Sequence, residues 1–107
     1  MLDNELLEMD LTVVNGFLYT VFGREIQWLI AAEECSELNK AVLKSIRRDK
    51  FSYAGIHITP AIIEETAHVM ICLNGIYHDM NNTEKAAVIA EIEKKLIVMH
   101  ELLKTRD

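Results

Sequence analysis

Two short clusters of ionisable residues interrupt otherwise apolar helical stripes. The first is Glu33-Glu34-x-x-Glu37, and the second, Glu64-Glu65-x-x-His68, follows after a gap of 26 residues. At about 100° per residue, Glu34 and Glu37 lie about 60° apart on a helix and point the same way. Ile30 precedes Glu34 by one turn and Ala41 follows Glu37 by one turn, so both carboxylates occupy a face expected to be core. Glu33 flanks that face. Further along, Glu65 shares a face with Ala61, Val69, Cys72 and Ile76, with His68 about 60° round from it. A buried carboxylate without a partner is costly, and clustered ones repel unless neutralised. A divalent cation that prefers oxygen ligands, Mg²⁺ or Mn²⁺, supplies the neutralisation, and a phosphate-bearing substrate needs the same ion. The competing reading sends each Glu past the core to solvent or pairs it with Lys44, Arg47 or Arg48. Matched i, i+3 pairs on two helices favour the ion. Lys44 and Arg48 continue the Glu34/Glu37 face, either to reach phosphate oxygens or to complement the helix dipole.

Four helical segments position these groups. The first is expected from about Asp3 to Phe22, with Leu7, Leu11, Val14, Leu18 and Val21 on one face and Gly23 as its stop. The second runs from about Arg24 to Arg48, its stripe being Ile26, Ile30, Glu34, Glu37, Ala41, Lys44 and Arg48. A loop over about 49–58 carries Phe51, Tyr53 and Gly55. Thr59-Pro60, an N-cap followed by Pro at the first helical position, opens the third helix, which reaches about His78. The fourth begins near Asn81, whose spacing to Glu84 is that of a capping box, with Asn82 and Thr83 as alternative caps. It ends near Lys104 and carries Ile89, Ile92, Leu96, Met99 and Leu103 on one face. An all-α four-helix bundle in a single domain, 1–107, is the expected architecture.

Composition bounds the function. The 107 residues carry a net charge of −6, which disfavours a nucleic-acid polymer or a membrane surface as partner. A site that recruits metal first still accepts an anionic substrate. A core this small would gain from association with a second copy. Cys35 and Cys72 are too few and too far apart for a disulfide framework, and read as buried thiols in a reducing compartment. Asp3, Glu5 and Glu8 do not fit a signal peptide, and no apolar run approaches the roughly 20 residues that span a bilayer, so a cytoplasmic protein is expected.

The two clusters resemble the signature of the all-α nucleoside triphosphate pyrophosphatases, the MazG-like group, which is E-x-x-E on one helix and E-x-x-D on the next. Glu34-Cys35-Ser36-Glu37 fits the first half; Glu65-Thr66-Ala67-His68 fits the second except at its last position. The likeness covers about 27–41 and 63–76. It implies a helical bundle completed by dimerisation, as a homodimer or homotetramer. It implies Mg²⁺, with Mn²⁺ as the alternative, held by Glu34, Glu37, Glu65 and His68. It also implies cleavage of an NTP or dNTP between the α- and β-phosphates, with Glu33 or Glu37 taking the proton of the attacking water. His68 is the departure, and imidazole suits transition metals better than Mg²⁺. Asn15, Phe22, Gln27 and Trp28 are candidates for contacts to the base, although packing or surface is the favoured account of each. Two other readings remain: an inactive helical interaction module, and a di-iron or di-manganese carboxylate bundle built on Glu65-x-x-His68.

Overall fold

A computed structural model describes residues 4–49 and 57–106. Within them the chain is all-helical, with no strand: α1 is Asn4–Phe22, α2 Arg24–Asp49, α3 Pro60–Asp79 and α4 Asn82–Lys104. The expected start at Asp3, the loop with Phe51, Tyr53 and Gly55, and the side chains of Leu7 and Arg48 lie outside the described residues. Among the described residues, no helix is long and apolar enough to cross a membrane.

Local signals set the helix ends. Gly23 takes φ of +89°, a conformation that costs any residue with a Cβ, and so breaks α1 from α2 in a single residue. Its N–H donates to Tyr19 O at 3.0 Å and its carbonyl accepts from Gln27 N–H at 3.3 Å, so neither helix end is left bare there. The Thr59 hydroxyl accepts from Ile62 N–H at 3.2 Å, capping α3 ahead of Pro60. Asn81 is the cap of α4. Its side chain accepts from Glu84 N–H at 2.8 Å, and the Glu84 carboxylate accepts from Asn81 N–H at 2.9 Å.

The chain divides into two compact units, Met1–Ile76 and Tyr77–Asp107. In the first, the inward side of α1 is centred on Asn15, flanked by the half-buried Leu11, Thr12, Leu18 and Tyr19. The expected apolar face is displaced from it, and Val14 and Val21 are exposed. The Asn15 side chain donates to Ile71 O at 3.0 Å and to Asn74 Oδ1 at 2.9 Å, fastening α1 to α3. Gly75 of α3 makes this approach possible, since a Cβ there would lie 3.0 Å from Asn15 Oδ1 and 3.1 Å from Tyr19 Cε2. On α2 the inward line is Ala31, Glu34, Leu38, Ala41 and Ser45, turned by about 60° from the expected stripe. Ile26 and Ile30 are exposed accordingly. The Ser45 hydroxyl donates to His57 O at 3.1 Å, tying α2 to the segment that leads into α3. The buried apolar side chains among the described residues are Ala31 and Val69.

The second unit holds the end of α3 and all of α4. The Tyr77 ring meets His78 edge-on at 5.4 Å, and the Lys85 ammonium lies 5.7 Å from the Tyr77 centroid. The expected α4 stripe of Ile89, Ile92, Leu96, Met99 and Leu103 is exposed along its whole length. Cys35 is exposed, which corrects the expectation of two buried thiols, while Cys72 is half-buried. Cys35 lies about 80° from the centre of the inward line of α2, and only Cys72 falls on a buried face.

Candidate metal centre

Glu34 lies on the inward line of α2 and Glu65 on that of α3. His68, one turn beyond Glu65, turns its ring toward both carboxylates. Its Nδ1 is 3.0 Å from Glu34 Oε2 and 3.6 Å from Glu65 Oε2. One ligand atom from each of the three residues falls within 4.8 Å of the other two. Glu65 Oε2 is buried and accepts no hydrogen bond of ordinary length among the described residues, its nearest cationic neighbour being His68 Nδ1.

This arrangement fits a metal ion. Two ligands at right angles on bonds of about 2.1 Å stand about 3.0 Å apart, and at a tetrahedral angle about 3.4 Å. The separations from Nδ1 to the two carboxylates bracket those values. A buried carboxylate oxygen without a donor is the kind of atom a cation satisfies. The electrostatics agree. The Glu65 carboxyl is held above the ordinary carboxylate range, chiefly by its hydrogen bond with Glu34, then by burial and the Glu34 charge, with His68 opposing. The His68 imidazole is also pushed up, first by its hydrogen bond to Glu34, with burial working against the shift. Both shifts trace first to hydrogen bonds with the Glu34 carboxylate, which shares protons with its two neighbours. Cys72, one turn after His68, has its thiol pushed up by burial and then by Glu34 and Cys35.

Beside this group lies a cavity of about 440 Å³, whose wall includes Glu34 and His68 themselves. Leu18, Phe22, Ile26, Ile30 and Ile71 supply its apolar surface, and Asn15, Tyr19, Gln27 and Cys72 the rest. Residues of α1, α2 and α3 line it, and it is partly open to solvent. Its volume and largely apolar lining with a few polar atoms suit a small organic ligand.

Of the residues singled out from sequence, the structure brings Glu34, Glu65 and His68 together. Glu37 stands outside the group, about 80° from the centre of the inward line of α2. Its half-exposed carboxylate pairs with Lys40 at 3.3 Å. Glu33 and Lys44 lie on the same exposed side of α2. Asn15, Phe22 and Gln27 do line the cavity, whereas Trp28 is exposed, with the Arg24 guanidinium 4.4 Å from its ring centroid. Tyr19, Ile71 and Cys72 were not singled out as lining residues. Tyr19 follows Asn15 by one turn and Cys72 follows His68 by one turn, a spacing that carries the signal.

No family model, no curated protein and no solved structure matches this chain.

Proposed function

We propose that the chain is a metal-dependent nucleotide pyrophosphohydrolase of MazG-like type, cleaving an NTP or dNTP to the monophosphate and pyrophosphate. One observation carries this reading: Glu34 and His68 belong at once to a group whose ligand atoms could hold a cation and to the wall of an apolar cavity. A nucleotide has that same polarity, with a flat, weakly polar base at one end and phosphates that need a cation at the other.

Glu34, Glu65 and His68 would hold the ion, which when bound neutralises phosphate oxygens and makes the phosphorus more electrophilic. The apolar wall of Phe22, Ile30 and Ile71 takes the base and excludes water from it. Gln27, whose amide offers both a donor and an acceptor, reads its edge. Water attacks the α-phosphorus, the bond to the bridging oxygen breaks, and pyrophosphate leaves with the electron pair. Glu33 and Glu37, outside the cation group, are the carboxylates left to accept the water's proton. Lys44, on the same side of α2, reaches the departing phosphates.

The active form in this reading is a homo-oligomer, dimer or tetramer. Val14, Phe17, Val21 and the α4 row Ile92, Leu96 and Met99 are all exposed, more apolar surface than a lone soluble chain leaves to water. A second copy covering such faces would supply the core that each chain lacks.

The test is pyrophosphate release from a panel of NTPs and dNTPs with Mg²⁺ and with Mn²⁺, comparing wild type with Glu34→Gln, Glu65→Gln and Glu37→Gln. Release that vanishes in the Glu34 and Glu65 variants supports the reading. No release from any nucleotide with either ion rejects it in favour of a helical interaction module, a reading that the position of Glu37 outside the group also supports.

A further inference from the structure

The metal centre is a mixed donor set: two carboxylate oxygens and one imidazole nitrogen. Mg²⁺ favours oxygen throughout, dehydrates reluctantly and gains little from imidazole. First-row transition dications take imidazole nitrogen readily, and their affinity for such sites rises along the series from Mn²⁺. His68 Nδ1 is not peripheral to the group, because it lies 3.0 Å from one carboxylate oxygen and 3.6 Å from the other. An ion that engages Glu34 Oε2 and Glu65 Oε2 therefore meets Nδ1 as well. Glu65 Oε2 is itself buried and accepts no hydrogen bond from the described residues, so it has a free lone pair to offer an ion. With Nδ1 turned inward, the ligating tautomer carries its proton on Nε2. The His68 side chain is 44% exposed, so water can reach it.

We infer that Glu34, Glu65 and His68 select a first-row transition dication over Mg²⁺, and that His68 is the selecting residue. This rests on the group being a metal centre, as in the function proposed above, and not on the reaction.

The experiment uses the full chain stripped of metal and Mn²⁺ as probe. Loss of the free Mn²⁺ electron paramagnetic resonance signal measures binding, and Mg²⁺ is then added as competitor. Wild type binds Mn²⁺, and Mg²⁺ displaces it only at a large excess. Pulsed spectra of the bound ion show modulation from a directly coordinated ¹⁴N. In His68→Asp, Mn²⁺ still binds, the nitrogen modulation disappears, and the preference for Mn²⁺ over Mg²⁺ narrows at least about tenfold, the lower end of what altered coordination surroundings produce. His68→Gln, which keeps an uncharged polar side chain, loses the modulation too and serves if the Asp variant does not fold. Equal competition by Mg²⁺, a wild-type spectrum without ¹⁴N modulation, or a preference unchanged in the variants overturns the selection by His68 and leaves the metal centre standing. Failure of wild type to bind either ion overturns both.

Discussion

Replacing Gly75 by Ala tests the packing that builds the cavity. In an exposed helix the change would stabilise by up to about 1 kcal/mol, because Ala is the better helix former. Gly75 is buried, and a Cβ there lies 3.0 Å from Asn15 Oδ1, 3.1 Å from Asn15 Cγ and 3.1 Å from Tyr19 Cε2. One of these groups must yield. Asn15 is only 4% exposed and holds Ile71 O and Asn74 Oδ1 through its amide, so moving it weakens two hydrogen bonds at about 0.5–1.5 kcal/mol each. If α1 and α3 are forced apart instead, overpacking costs about 1–3 kcal/mol. Either route outweighs the propensity gain, and Gly75→Ala is expected to destabilise by about 1–3 kcal/mol. Urea unfolding followed by far-ultraviolet circular dichroism at fixed protein concentration measures this. Gly16→Ala is the control, since nothing lies within 4 Å of a Cβ at that helical position, and it should gain stability. A Gly75→Ala protein as stable as wild type, or more so, would refute the account of the α1–α3 contact.

Four further outcomes follow from the structure. Asn81→Ala removes half of the capping box and should cost about 1 kcal/mol in the unfolding of α4. Burial raises the Cys72 thiol and leaves less thiolate at neutral pH, so iodoacetamide should modify exposed Cys35 first and Cys72 slowly until urea is added, as read by mass spectrometry. Glu65→Gln removes one of two facing carboxylates, so the metal-free variant should melt above metal-free wild type yet lose the rise in melting temperature that Mn²⁺ gives wild type. If a second copy covers the exposed apolar faces, the unfolding midpoint should climb with protein concentration; a midpoint constant over a hundredfold dilution would argue for a monomer.

The helix ends were legible in the sequence because each is set by chemistry within a few residues: Gly23 with its positive φ, Thr59 ahead of Pro60, and Asn81 with Glu84. The rotational phase of the helices was less legible, because it depends on which neighbour each face meets. On α2 the eye follows Ile26 and Ile30, but the buried residues are Ala31 and Ser45, whose small side chains give a hydrophobic pattern little weight. Among the described side chains of α1 the most buried is Asn15, whose amide is satisfied by atoms 56 and 59 positions away. No local pattern contains that information. The phase error of about 60° on α2 decides the membership of the site, since it keeps Glu34 inside the group and puts Glu37 out.

The inward positions of the first unit are to a large extent polar or small: Asn15, Ser45, Glu34, Glu65 and Ala31. Such a lining gives little hydrophobic stabilisation, and the facing carboxylates subtract from it. A cation between Glu34 and Glu65 would offset the repulsion at the same point that the proposed chemistry uses, so loading and folding become linked quantities. Larger apolar residues in place of the two carboxylates would stabilise the unit and leave it unable to bind an ion. Polar groups are costly to bury, and here Glu34, Glu65 and His68 converge from two helices, so hydrogen bonds among them, a shared proton or a bound cation must offset that cost.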